Sequence, residues 1–270
     1  GDVYKRQAQI YDYGFTFIEQ IDTSYRIFED TGIQEKWQVE QHINTIDKNS
    51  FVTIKDAYDR IIAIDGGGWE NQNYLRSIIQ QNGNRIDTWI VTSTKPENIG
   101  SFISVENEAK GMMLGNYITL NVINPEYAEL KGTDSVEYRC LKSYEKTEWY
   151  KSYQYVDEGD AISDVNGLKV QIYNAYDKDL FSTSDDVESD SSMVFKLTGS
   201  ENSLLYISDI TDDQLDKIID KYGEELQSDY VIMKSSVSKD LLAKLKEAAG
   251  TDEIYLDNAS QTEEFSIELH

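Results

Sequence analysis

The chain has 270 residues, of which 39% are apolar and 28% charged, a globular composition long enough for one large domain or two small ones. Its 50 acidic and 25 basic residues give a formal net charge of −25, a field that repels phosphate backbones and argues against nucleic acid as a partner. No apolar run reaches the length of a transmembrane helix. The single cysteine, Cys140, excludes an intrachain disulfide and any CxxC metal or redox motif.

Residues 1–37 read as an N-terminal leader or linker, rich in aromatics and charge without a clean period. Within it, residues 2–7 (DVYKRQ) read like a translated sequencing adaptor, and no initiator Met is present. The expectation is a bacterial metagenomic reading frame whose true N-terminus is missing. A signal peptide or anchor would be lost with it, which leaves the compartment open between cytoplasmic and exported.

A single domain is expected over 38–270. Val39, Ile43 and Ile46, then Phe51, Val52 and Ile54, alternate as two strands joined by a turn at Asp47–Ser50. His42 lies on the first of them, where a lone histidine reads as structural or exposed. Ile61–Ile64 is a short β-branched run ended by Asp65, and Gly66, Gly67 and Gly68 come next as a turn. Leu75, Ile78 and Ile79 recur at helical spacing up to Gly83. Thr88–Thr92 is the next strand, and its end delivers Ser93, Lys95, Glu97 and Asn98 into a loop. The C-terminal ends of strands are where open α/β sheets build sites.

Further on, 99–110 reads as a helix, 117–122 as a strand, and 134–152 as a helix carrying Val136, Cys140 and Tyr144 on one face. The acidic, Ser-rich run 177–192 reads as an exposed loop without regular structure. Its carboxylates lack the ordered D-x-D-x-D-G spacing of a Ca²⁺ loop. Met193–Leu197 and Leu204–Ile207 form a hairpin, with Asp209 directly after it. Thr211 and Gln214 make a capping box for a helix through Tyr222, stopped by Gly223. Tyr230–Met233 is a strand with Ser235 and Ser236 after it, Leu241–Ala248 is an amphipathic helix, and strands close the chain near 254–256 and 265–269. Strands and helices alternate in two halves, before and after the 177–192 run.

The segments IIAIDGGG and VTSTKPENIGS carry a resemblance. A strand ending in Asp-Gly-Gly, one helix, then a strand feeding a Thr-His-x-His-x-Asp-His-Ile-Gly loop is similar to the opening of the metallo-β-lactamase-fold hydrolases. Within these, the C-terminal domain of the competence protein ComEC and its free-standing relatives look most similar. The resemblance covers roughly Gln38 to Asp257 and implies an α/β (α+β) fold, a four-layer αββα sandwich. Thr92, Ile99 and Gly100 fit the loop in frame, but its metal ligands do not. The two histidines of the family's HxH pair fall on Ser93 and Lys95, its aspartate on Glu97 and its last histidine on Asn98. Asp209 keeps the carboxylate that bridges two metals in the family, with Ser208 in place of a glycine. The family's His-His-Gly-Ser falls on Ser235, Ser236, Val237 and Ser238, and its Gly-Gln-Gly-Asp turn on Asp47, Lys48, Asn49 and Ser50.

A vestigial pocket of Asp65, Ser93, Lys95, Glu97, Asn98, Asp209, Ser235 and Ser236 is therefore expected, with no catalytic residue and no metal. Catalytic zinc takes three protein ligands of neutral imidazole, thiolate or carboxylate, whereas serine and asparagine bind it poorly and a protonated lysine has no lone pair to give. Asp65 reads as structural. With two histidines in the chain, a Ser-His-Asp mechanism is excluded, and a Ser-Lys pairing of Ser93, Ser235 or Ser236 with Lys95 stays formally open. Three functions are compatible with this reading: a non-catalytic binding or scaffold domain for an unknown ligand or protein partner; a divergent phosphodiesterase or esterase whose carboxylates weakly bind a divalent cation; and an acidic, Tyr-rich surface domain.

Overall fold

Both halves of the chain make a sheet in the same way, an antiparallel meander and then parallel crossovers through helices. The computed structural model describes residues 36–107, 113–120, 139, 153–177, 179–261 and 263–270. In the first half, β1 (Trp37–Asn44), β2 (Asn49–Asp56) and β3 (Ile61–Ile64) pair antiparallel in sequence order. Then β4 (Arg85–Val91), β5 (Met113–Leu120) and β6 (Tyr153–Tyr155) add in parallel. Parallel neighbours need a crossover, and α1 (Gln72–Gln81) and α2 (Pro96–Asn107) occupy the first two.

The second half repeats the scheme. Strands β7 (Ala161–Val165), β8 (Leu168–Asn174), β9 (Val194–Thr198) and β10 (Ser203–Ile207) pair antiparallel, and β11 (Tyr230–Met233) and β12 (Ile254–Leu256) add in parallel. Two short helices, α3 (Leu180–Thr183) and α4 (Val187–Asp190), lie between β8 and β9. Helices α5 (Asp212–Tyr222) and α6 (Lys239–Ala249) make the crossovers. The last strand, β13 (Ser266–Leu269), returns to the first sheet beside β1. The sheets thus run β13-β1-β2-β3-β4-β5-β6 and β12-β11-β10-β9-β8-β7.

Side-chain alternation decides the layers. In β3, Ile62 and Ile64 turn to the core between the sheets, where they join Val39, Ile54, Ile90, Ile172, Phe195, Leu204 and Ile232. Ala63 of the same strand turns the other way and packs with Leu75, Ile79, Ile99 and Phe102 from α1 and α2. On the far sheet, Leu205, Ile207, Val231 and Met233 meet Leu215, Ile219, Leu241 and Leu245 of α5 and α6. The order is helix, sheet, sheet, helix, the four-layer αββα sandwich the resemblance implies. Ile61–Ile64 and the strand at 85–91 are parallel neighbours, with Ile62 opposite Thr88 and Ile64 opposite Ile90.

Several expectations are corrected. The halves divide between Tyr155 and Ala161, well before the 177–192 run, because that run links two adjacent strands of the second sheet. Nor is the run an unstructured loop. Val187, Glu188, Ser189, Asp190, Ser191 and Ser192 are buried. Val187 packs with Tyr176 and Leu180, and Asn174 Nδ2 donates to the carbonyls of Asp190 (2.8 Å) and Ser192 (2.7 Å). Asp190 accepts from Ser184 Oγ (2.7 Å) and from Thr211 Oγ1, so its acidity serves local bonding. Thr211 caps α5 by accepting from Gln214 N, but the Gln214 side chain turns to Asn174 Oδ1, so no reciprocal box closes. His42 is buried against Phe51 with Nε2 2.7 Å from Thr53 Oγ1, and burial pushes its imidazole below the ordinary value. The expectations for residues 1–35 and for a helix with Cys140 at 134–152 lie outside the described residues.

Two outcomes are expected from this packing. Phe195→Ala, at a fully buried inter-sheet position, lowers urea-unfolding stability by about 3–4 kcal/mol, whereas Ile46→Ser, at a turn position 88% exposed, stays within about 0.5 kcal/mol. Hydrogen exchange finds the amides of Asp190 and Ser191, which donate to Asp186 O and Val187 O, slower than those of the exposed turn 45–48.

Candidate functional site

The parallel strands of both sheets end at one place, and the residues just beyond those ends build the candidate site. After β3, Asp65 takes a left-handed conformation (φ 59°) that turns the chain while its backbone N–H still donates to Ile90 O (2.8 Å). Its carboxylate, fully buried, accepts from Thr92 N and Thr92 Oγ1, both at 2.8 Å. Gly67 (φ 83°) completes the turn, where a Cβ would stand 2.8 Å from Asn71 Nδ2. The carboxylate thereby fastens the end of β3 to the end of β4.

After β4 the chain folds on itself to start α2. Ser93 Oγ accepts from Lys95 N (3.2 Å) and from Asn98 Nδ2 (2.8 Å), while Lys95 O accepts from Asn98 N and Ile99 N. Ser93 and Asn98 are buried at 1% and 2% exposure, consumed in holding this loop. The Lys95 side chain crosses to the other sheet. Its ammonium lies 2.5 Å from Asp209 Oδ2 and 3.2 Å from Asp209 O, just past β10. Ser235, past β11, donates to the other oxygen of Asp209. Burial pushes the Asp209 carboxyl up, but Lys95, Ser235 and the charge of Lys234 outweigh it and hold it below the usual range.

Lys234, the residue directly after β11, was absent from the expected pocket. Its Nζ lies 2.7 Å from Asp65 Oδ2 and donates to Asn98 Oδ1 at 2.7 Å. The side chain is 9% exposed against 0% for Asp65, so this is an ion pair in the interior. Burial alone would lower the ammonium's pKa; Asp65, Asp257 and Asp209 outweigh it and raise it, so the lysine stays charged. Burial pushes Asp65 up, against Lys234 and the two Thr92 donors. Asp257, 1% exposed, accepts from Tyr206 Oη (2.8 Å) and Gln41 Nε2 (3.4 Å). Thr92 Oγ1 and Ser208 Oγ meet at 2.5 Å between the sheets.

Of the eight expected residues, Asp65, Ser93, Lys95, Asn98, Asp209 and Ser235 are brought together by these bonds. Glu97 and Ser236 are not. Glu97 is the second residue of α2 and is exposed there, and Ser236 is exposed past the end of β11. A signal for Lys234 was available: it comes directly after the buried strand YVIM as Asp65 does after IIAI, with the opposite charge. Among the described residues, no three His, Cys, Asp or Glu side chains come together as a metal-binding group.

Chemically the arrangement is self-satisfied. The carboxylates of Asp65 and Asp209 are each taken by an ammonium and by N–H or O–H donors. Lys95 Nζ and Ser235 Oγ both bond Asp209 rather than each other, and Ser93 Oγ accepts from Lys95 N and Asn98 Nδ2, so a Ser-Lys pairing is not among the bonds formed by these residues.

No protein-family model matches the sequence, and no curated protein matches it. Solved structures give distant likenesses. A Cronobacter sakazakii metallo-β-lactamase with a HARLDQ motif is 12% identical over 69% of this chain and 74% of its own, with a TM-score of 0.45. MEM-A1, a subclass B3 metallo-β-lactamase from a soil metagenome library, is 15% identical over 77% and 83%, also at 0.45. Rm3 metallo-β-lactamase is 13% identical over 76% and 78%, again at 0.45. None of them brings a metal or a substrate to this chain.

The Asp209 ion pair has a pH consequence. A carboxyl held below its unfolded value of 3.8 contributes stability that is complete above that value and is lost as pH falls through the folded pKa. Asp209→Asn therefore flattens the acid limb of the stability–pH curve below about pH 4, read from urea midpoints, and leaves its shape between pH 6 and 8 unchanged.

Proposed function

We propose that this chain is a ComEC-like member of the metallo-β-lactamase fold group that has lost its metal-ligand histidines and serves as a non-catalytic binding or scaffold domain, spanning 38–270, for a ligand or protein partner. One observation carries the reading: the Lys95 ammonium sits 2.5 Å from Asp209 Oδ2, on the carboxylate that the resemblance would give to a metal. A cation with no vacant orbital occupies the oxygen a hydrolytic metal needs. Ser93, Asn98 and Ser235 supply hydroxyl and amide groups already used in local hydrogen bonds. A divergent hydrolase with a carboxylate centre would draw on Glu97, which faces solvent.

The test is elemental analysis of protein purified without chelators, together with an esterase and phosphodiesterase panel run with added Zn²⁺, Mn²⁺ and Mg²⁺. The expected result is no stoichiometric metal and no turnover above the uncatalysed rate. About one metal per chain, with turnover abolished in Asp209→Ala, overturns the proposal in favour of the divergent hydrolase.

A further inference from the structure

Where the parallel strands of the two sheets end, the Lys234 ammonium pairs with Asp65 and feels the charges of Asp257 and Asp209, and the Lys95 ammonium pairs with Asp209. Lys234 reaches from the end of β11 in the second sheet to Asp65 at the end of β3 and to Asn98 of α2, both on the first. Lys95 reaches the opposite way, from the loop after β4 to Asp209 after β10. The two contacts cross the interface in opposite directions. One is interior, with side chains 9% and 0% exposed; the other is nearer solvent, at 11% and 31%.

This donor set does not fit a divalent metal. Asp65 already accepts from Thr92 N, Thr92 Oγ1 and Lys234, Asp209 from Lys95 and Ser235, and Asn98 Oδ1 from Lys234. A metal would have to displace an ammonium tethered to the chain, whose effective concentration is set by covalent linkage. We propose that Lys234 and Lys95 are the resident cations of this site, and that together they clasp the ends of the two sheets in the way a structural metal would. A bound metal stabilises a fold only as far as its free concentration exceeds its dissociation constant. An ammonium on the chain needs no free cation in solution. The proposal concerns what closes the site and holds whether or not the domain proves to bind a partner or to turn over a substrate.

The test uses the full chain and reads melting temperature. Wild-type protein is expected to be unmoved by EDTA. Lys234→Ala should lose about 10 °C, because it leaves a buried carboxylate without its cation. Propylammonium chloride, which replaces the missing part of the side chain, should recover part of that loss where sodium chloride at equal concentration does not. Asp65→Asn/Lys234→Met should lie closer to wild type than the sum of its single variants, since it removes both charges together. A milder loss with the same rescue is expected for Lys95→Ala. Lys234→Ala as stable as wild type, a double variant equal to that sum, or an EDTA-sensitive wild type each overturns the proposal. Should Lys234→Ala fail to fold, the double variant decides: its folding supports the clasp and its failure overturns it. Metal content and turnover settle the function proposed above, so the two readings fail separately.

Discussion

The buried pair of Asp65 and Lys234 is the constraint to which the rest of this architecture is fitted. A carboxylate with no exposure at the end of a strand is costly unless every lone pair is answered. Here three groups answer: the backbone N–H and the hydroxyl of Thr92, just past the end of the neighbouring strand, and an ammonium from the opposite sheet. Meeting those demands sets where β4 must end relative to β3 and how near β11 must come. It also requires the left-handed backbone at Asp65 and the glycine turn beyond it, since the chain must leave β3 sharply to free the carboxylate. The energetic weight of the pair lies less in a net gain over apolar packing than in the penalty for breaking it.

The hydrophobic layers make this possible. Strand β3 is buried on both faces because its odd and even residues feed two different cores, the pattern of a strand lying between a helix layer and a second sheet. The two sheets are then held face to face by aliphatic and aromatic side chains such as Ile64, Ile90, Phe195 and Tyr206. At the strand ends polar chemistry replaces that packing. There Thr92 and Ser208, Lys95 and Asp209, and Asp65 and Lys234 take over the contact between sheets. The apolar core supplies affinity between the layers, and the polar contacts supply register, because each can form in one alignment.

Legibility in the sequence divides along the same line. Runs such as IIAI, VFKLT, SLLYI and YVIM announce strands because periodicity and β-branching are local properties, and Gly223 stops α5 where it was expected to, with a positive φ. The strand ends were partly legible: Asp65, Ser93, Lys95, Asn98, Asp209 and Ser235 do come together. Glu97 was misplaced because a family frame assigns a position along the chain, while the direction of a side chain in the first turn of a helix depends on how that helix docks. Lys234 was missed although its place directly after YVIM was a local signal, because its partner lies far off in the chain and that signal does not say which residue it meets. The 177–192 run was misread as an exposed loop without regular structure for a related reason. Its low hydrophobicity was judged by itself, whereas Asn174 and Thr211, both outside it, supply bonds that order it, and Gln214 in turn holds the Asn174 amide.

A catalytic centre and a structural joint ask opposite things of the same strand ends. Catalysis needs an open coordination position or an unsatisfied nucleophile, and it keeps polar groups under-used in the resting state. A joint needs each group satisfied. Around Asp65, Asp209 and Asn98, the polar atoms are spent on one another, and the cations that balance the carboxylates are carried on the chain. The sandwich does not depend on which of these its strand ends serve, since its layers are held by the apolar cores. That independence is why a fold of this kind can keep its shape while the chemistry at its edge changes. It also places the information about function in the charges of a few residues, Lys95 and Lys234 foremost, rather than in the architecture that carries them.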